Sequence, residues 1–130
     1  MEVQVLVKLF FKTLRLVLGP FMLLWELATR PQGVQRPAAQ QVDVDRQCQD
    51  LVLYQFRTCP FCIKVRQEMR RLSLDIERCD AQHDAQHRAD LMAGLGAVQV
   101  PCLRITDADG KTQWLKESGA IIAFLNQRFA

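Results

Sequence analysis

The first 30 residues follow the periodicity of one long amphipathic helix. At 100° per residue, the polar positions fall on one narrow stripe, and the remaining surface is mostly Leu, Val, Phe, Met and Trp. The polar stripe comprises Gln4, Lys8, Lys12, Arg15, Gly19, Glu26 and Arg30. The Gly19–Pro20 pair inside this segment predicts a kink or a break in the helix.

A change in composition follows the apolar segment. Residues 31–41, "PQGVQRPAAQQ", are rich in Pro, Gly, Gln and Ala, as is typical of a linker. We therefore expect three parts: a helical arm over residues 1–30, a linker over 31–48 and a folded domain over 49–130.

The pattern of the domain changes repeatedly between strand and helix. The near-continuous apolar run at 51–56 predicts a buried strand, and "CPFCIKVRQEMRRL" after it has helical spacing. An alternating segment, a helix ending at Gly96, two strands around "DADG" and a final helix with Ser118 as its amino-terminal cap follow. The predicted order is β-α-β-α-β-β-α, an α/β fold with a mixed four-stranded sheet and helices on its faces.

The net charge of +3 comes entirely from the amino-terminal part. Residues 1–37 carry five basic and two acidic side chains, whereas residues 38–130 carry twelve of each. No basic patch with interleaved aromatic residues follows, so the sequence gives no reason to expect nucleic-acid binding.

Cys59 and Cys62 form a C-x-x-C pair between the first predicted strand and helix. A cysteine at a helix start faces unpaired backbone N–H groups and the positive end of the helix dipole, which favour the thiolate. Arg57 and Lys64 add positive charge nearby. We therefore interpret Cys59 as a nucleophile and Cys62, one turn later, as the resolving thiol. A C-x-x-C beside a βαβ pattern is typical of thioredoxin-like redox proteins.

Two other interpretations of the pair are weaker. The spacing C-x2-C-x16-C-x3-H from Cys59 to His83, with His87 beyond, falls near that of structural zinc sites. However, Pro60 is a preferred first helical residue, so Cys62 already belongs to a helix, and we expect no metal. An odd number of cysteines argues against a disulfide framework, and a disulfide across four residues would stabilise little.

The motifs "TCPFC" and "VP" resemble those of the glutaredoxin family, and the resemblance covers residues 49–130. It implies a thioredoxin-like fold that uses glutathione as reductant, with Cys59 as the glutathionylated nucleophile and Cys62 as the resolving cysteine. It also implies that Pro101 is a cis-proline and that the backbone of Val100 pairs with the cysteinyl part of glutathione.

Two further similarities extend the implied glutathione site. "YQFRTCPFCIKVR" is similar to the glutaredoxin-like domain of membrane-associated prostaglandin E synthases, and "ESGAI" to the amino-terminal domains of glutathione transferases. In the latter, Glu117 and Ser118 would hold the γ-glutamyl end at a helix amino terminus. The implied glutathione-binding residues are Arg57, Pro60, Phe61, Val100, Pro101, Glu117 and Ser118.

These observations predict a glutathione-dependent thiol–disulfide oxidoreductase that serves cell redox homeostasis. Its partners would be glutathione and proteins that carry disulfides or glutathione mixed disulfides. An alternative is a non-catalytic module that binds glutathione or an iron–sulfur cluster and docks to a partner. Pro60 argues against the cluster, because cluster-carrying relatives usually have glycine after the nucleophile. A more distant alternative is an isomerase similar to the prostaglandin synthases.

The arm predicts contact with a membrane surface through residues 3–28. Its longest uncharged run, Leu16 to Trp25, has ten residues, whereas a span needs about 20. A basic stripe opposite Phe and Trp is typical of a helix that lies in the membrane interface. We therefore expect the domain on the cytoplasmic side. The alternatives are a cover for the domain, pairing with a second copy, or a signal peptide, for which no A-x-A-like site follows.

Overall fold

The protein, seen here as a computed structural model, is described from residue 2 to residue 130 and divides into two units at Arg30–Pro31. The first unit contains helix α1 (Glu2–Ala28), which continues through Pro20. The helix is therefore not broken at Gly19–Pro20, and the alternative of a kink there stays a prediction. Proline removes a single backbone donor, and the Leu, Phe and Met residues on both sides favour the helix.

Helix α1 exposes most of its large apolar side chains. The exposed fraction is 62% for Phe10, 62% for Phe21 and 60% for Trp25. Within residues 2–130, no helix combines the length and the hydrophobicity that crossing a membrane requires.

The second unit is an α/β fold around a four-stranded sheet. Its elements are α2 (Ala38–Cys48), β1 (Leu51–Gln55), α3 (Pro60–Arg71), β2 (Glu77–Asp80), α4 (Ala85–Leu95), β3 (Cys102–Thr106), β4 (Thr112–Lys116) and α5 (Ser118–Phe129). The strand order is β2-β1-β3-β4, in which β1 pairs parallel with β2 and antiparallel with β3, and β3 pairs antiparallel with β4. The predicted mixed sheet and the thioredoxin-like order from β1 onward are confirmed.

Strand β1 is buried on both faces, as its continuous apolar run predicts. Leu51 and Leu53 belong to the core shared with α2, α3 and α5, whereas Val52 and Tyr54 belong to the core beneath α4. Successive side chains of a strand point to opposite faces, so β1 contributes to both cores at once. It is the fixed element from which the turn to α3 departs.

Residues 38–48 are not a linker, which corrects the boundary expected at residue 48. They form α2, whose Val44 and Cys48 are buried in the core. Because only these two residues of α2 are buried, its apolar periodicity is too weak to identify the helix in a Gln- and Ala-rich sequence.

The segment before α2 is fastened to the ends of two helices. The Arg36 guanidinium donates hydrogen bonds to the carbonyl oxygens of Leu72 at 2.6 Å and of Phe129 at 3.0 Å. Those carbonyls lie at the carboxyl ends of α3 and α5, where helical oxygens lack intrahelical partners and the dipole favours a cation.

We expect Arg36→Ala to lower the free energy of unfolding by about 2 kcal/mol, because two charged hydrogen bonds to carbonyl oxygens are lost. Urea denaturation of the full chain measures this change. Arg46→Ala is the control, since the Arg46–Asp43 pair is exposed and should contribute much less to stability. Equal destabilisation by both variants would contradict the role of Arg36.

Candidate functional site

Cys59 lies at the amino-terminal cap of α3. Its backbone is extended (φ −86°, ψ 125°), and its carbonyl accepts the first helical bond, from the Ile63 N–H at 2.9 Å. Pro60 occupies the first helical position, where a missing N–H removes no intrahelical bond. The turn from β1 closes with a bond from the Cys59 N–H to the Phe56 carbonyl at 3.4 Å. The Cys59 side chain stays partly exposed.

Cys62 is fully buried one turn further along α3. Burial raises the pKa of its thiol to about 12, although the Phe56 backbone N–H donates a hydrogen bond to its sulfur and acts in the opposite direction. The Cys62 thiol also shares a hydrogen bond with Cys59, which raises the pKa further. Cys62 therefore keeps its proton at neutral pH.

The two cysteines differ in the way that thiol–disulfide exchange requires. Cys59 is partly exposed to solvent, whereas Cys62 is fully buried, and both are free thiols. The first can attack an external sulfur, and the second can afterwards attack the first.

Val100 and Pro101 are joined by a cis peptide bond, as the resemblance implied. Pro101 is buried and directly precedes β3, in which Cys102 pairs with Tyr54 near the end of β1. This antiparallel register places Pro101 at the end of the sheet where β1 continues into the Cys59 turn.

Glu117 and Ser118 lie at the same end of the sheet. They follow β4 directly, and Lys116 at the end of β4 pairs with Cys102. Ser118 is the first residue of α5, and Glu117 is its cap, with a positive φ of 75° that usually favours glycine. The expectation that Ser118 is the cap is therefore off by one residue. The amino termini of α3 and α5 thus both lie at this end of the sheet, and a helix amino terminus favours anions.

Arg57 and Phe61 border Cys59 on either side and are both exposed, Phe61 to 58%. Arg57 lies on the turn and Phe61 in the first turn of α3. A cation and an aromatic ring are therefore available to a molecule that approaches the Cys59 sulfur.

The sequence interpretation missed Arg66, whose side chain is only 4% exposed. It lies on α3 four residues after Cys62, on the same side of the helix. Its guanidinium donates to Gln55 Oε1 at 2.8 Å and to the Arg57 carbonyl at 2.8 Å. The signal in the sequence was its position four residues after Cys62, which places both side chains on one side of the predicted helix.

The other three cysteines, Cys48, Cys79 and Cys102, are all buried. Burial raises the pKa of Cys102 to about 11 and also raises the pKa of Cys48 and Cys79. Each of these thiols is therefore protonated and shielded at neutral pH.

The zinc interpretation finds no ligand cluster. In the part of the chain from residue 2 onward, no three or more His, Cys, Asp or Glu side chains are grouped to hold a metal ion. His83 lies 3.1 Å from Asp80 and His87 3.6 Å from Asp84, each within three residues.

We expect iodoacetamide at neutral pH to alkylate Cys59 well before the other four cysteines, because only its sulfur is accessible. Peptide mapping by mass spectrometry locates the adduct, and urea should expose all five thiols. Cys59→Ser is the control and should lose the fast phase. Alkylation of Cys62 at the rate of Cys59 would contradict the described burial.

Comparisons with protein families and with solved structures both give matches. The family model described as Glutaredoxin matches residues 51–109. No curated protein matches the chain. Among solved structures, the chain is similar to a maleylacetoacetate isomerase from Anaeromyxobacter dehalogenans with glutathione bound in its active site. The identity is 28%, the TM-score is 0.46, and the match covers 61% of this chain but only 37% of the isomerase.

The matched segment runs from β1 to the turn after β3, and it includes Cys59, Cys62 and the cis-proline. The glutaredoxin resemblance that the "TCPFC" and "VP" motifs indicated is therefore confirmed over residues 51–109.

Proposed function

We propose that this protein is a glutathione-dependent thiol–disulfide oxidoreductase that reduces glutathione mixed disulfides and protein disulfides. The observation that carries the proposal is the asymmetry of the cysteine pair. A reachable sulfur lies at a helix amino terminus, and a fully buried thiol hydrogen-bonds to it from one turn away.

Reduction of a mixed disulfide needs only Cys59. Its thiolate attacks the glutathione sulfur, a Cys59–glutathione disulfide forms, and the target protein leaves as a thiolate that takes up a proton. The thiolate of a second glutathione then attacks the bound glutathione sulfur. This step releases oxidised glutathione and restores the Cys59 thiolate.

Reduction of a protein disulfide also involves Cys62. After Cys59 forms a mixed disulfide with the target, Cys62 loses its proton and attacks the Cys59 sulfur. The second target thiol leaves, and a Cys59–Cys62 disulfide remains for two glutathione molecules to reduce. Because burial holds the pKa of Cys62 near 12, its thiolate is scarce at neutral pH. We therefore expect the mixed-disulfide reaction to be the faster one.

Glutathione would lie across the end of the sheet beside Cys59. The Val100 backbone, next to the cis-proline, would pair with its cysteinyl part. The amino terminus of α5 at Ser118 suits the γ-glutamyl carboxylate, and the Glu117 carboxylate suits the ammonium beside it. Exposed Arg57 would attract the remaining carboxylate, while Pro60 and Phe61 would contact the tripeptide at the start of α3.

We also propose that residues 3–28 attach the protein to the cytoplasmic face of a membrane. The support is the exposed apolar surface of α1 together with its basic stripe of Lys8, Lys12 and Arg15, all three exposed. A helix of this kind places aromatic and aliphatic side chains among acyl chains and its cations beside anionic headgroups.

We expect Cys59→Ser to abolish all turnover of the full chain, because the attacking sulfur is lost. Cys62→Ser should retain reduction of a glutathione mixed disulfide and lose most reduction of a protein disulfide. Glutathione oxidation, coupled to glutathione reductase, measures both. Cys102→Ala is the control, since this buried thiol takes no part. Equal loss of both activities in the two serine variants would overturn the assigned roles, and an inactive wild type would favour the binding-module alternative.

We expect full-length protein to sediment with vesicles that contain phosphatidylserine, and the variant with Lys8, Lys12 and Arg15 changed to Glu to bind roughly a hundredfold more weakly. The matched control changes Arg46, Arg78 and Lys111 to Glu, which alters the net charge equally outside the arm. Wild-type protein that stays in the supernatant, or equal weakening by both variants, would contradict membrane attachment through α1.

A further inference from the structure

We infer that Arg66 is the positioning residue of the thiol site: its buried guanidinium holds the turn that presents Cys59 and places a fixed positive charge beside the cysteine pair. The inference rests on the proposed function for its kinetic consequences. Its structural and equilibrium consequences can be measured without turnover.

The guanidinium binds three consecutive residues, the last residue of β1 and the first two residues of the turn. Nη1 donates to Gln55 Oε1 at 2.8 Å and to the Phe56 carbonyl at 3.4 Å, and Nη2 donates to the Arg57 carbonyl at 2.8 Å. Because a guanidinium is planar and its donors are fixed relative to one another, these bonds fix the direction of the chain as it leaves β1. Arg66 is itself fixed by its place on the buried side of α3.

The Phe56 peptide connects Arg66 to both cysteines. Its carbonyl accepts the Cys59 N–H at 3.4 Å as well as the Arg66 Nη1, and its N–H donates to the Cys62 sulfur. A shift of this peptide would therefore move the Cys59 backbone and weaken the bond to Cys62 together. Arg66 controls both thiols through one peptide that it holds in place.

The charge of Arg66 has a separate effect. Its positive charge acts on Cys62 in the direction that favours the thiolate, although burial outweighs it. Cys62 is protonated in the resting site, so the anionic sulfur of the reduced form is the Cys59 thiolate of the proposed mechanism, and neither sulfur is anionic in the disulfide. A buried cation stabilises anionic sulfur, and Arg66 should therefore favour the reduced form, as in oxidoreductases whose stabilised dithiol state makes them stronger oxidants.

Lysine and glutamine substitutions separate these two effects. Arg66→Lys keeps the charge, but one ammonium cannot reproduce the planar set of bonds to three residues. Arg66→Gln removes the charge and retains a polar side chain. Geometry should therefore be impaired in both variants, whereas the electrostatic preference for the dithiol should be lost only in Arg66→Gln.

The experiment uses the full-length protein with a glutathione mixed disulfide as substrate. We expect Arg66→Lys to lower kcat by about tenfold or more, since small misplacements of reacting atoms have effects of this size, while KM for glutathione changes little. In glutathione redox buffers, Arg66→Gln should shift the Cys59–Cys62 equilibrium about tenfold toward the disulfide, or about 30 mV, and Arg66→Lys much less. Hydrogen exchange at the amides of residues 57–59 should be faster in both variants.

Arg71→Lys is the matched control, because it makes the same chemical change on the same helix. Arg71 donates to Glu68 Oε1 at 3.0 and 2.6 Å and to Asn126 at 2.7 Å, near the opposite end of α3. We expect this variant to lose some stability, with kcat, the redox equilibrium and exchange at residues 57–59 unchanged.

A wild-type protein without turnover would contradict the proposed oxidoreductase, and the exchange rates and the redox equilibrium would then decide the role of Arg66. Wild-type kcat, equilibrium and exchange in Arg66→Lys and Arg66→Gln would overturn the inference. So would losses of kcat that merely follow the losses of stability seen in Arg71→Lys. If neither Arg66 variant folds, Gln55→Leu decides, because it removes one acceptor of the guanidinium. It should lower kcat and speed exchange at residues 57–59, and no effect would overturn the inference.

Discussion

The cysteine pair depends on the short turn in which β1 becomes α3. Strand β1 is buried on both faces and paired on both edges, so the point at which the chain leaves the sheet is fixed. Three residues separate Gln55 from Cys59, the cap of a helix whose first amides have no intrahelical acceptor. Cys59 lies at this point because Pro60 can start a helix and Phe56 closes the turn behind it.

Burial distinguishes Cys62 from Cys59, although both are cysteines. Helix α3 is amphipathic, and Cys62 lies on the side that carries Val65 and Met69 into the core. The same packing that stabilises the helix therefore removes one thiol from solvent and raises its pKa to about 12. Cys59, at the cap, is not carried into the core. On the proposed function, the order of the two steps follows from this difference alone.

The strong local patterns of the sequence predicted most of the fold. The apolar run of β1, the amphipathic α3 and the "DADG" turn each identify an element, and the resemblance supplied the cis bond at Val100–Pro101. Helix α2 escaped prediction because its contact with the core is narrow. Arg66 escaped because a charged residue in a helix usually indicates a solvated face. Its acceptors are the Gln55 side chain and two backbone carbonyls of the turn, and composition and periodicity do not reveal them.

The end of the sheet that carries Cys59 also has features that favour binding of an anion. The amino termini of α3 and α5 converge there, and the positive φ of Glu117 lets β4 turn directly into α5. The buried guanidinium of Arg66 is bonded to the turn, whereas Arg57 and Phe61 are exposed at the surface. An anion bound in front of the turn would therefore meet the helix termini and Arg57, while Arg66 stays bonded to the chain. On the proposed function, this separation would let the site hold a charged tripeptide without disturbing the turn that positions Cys59.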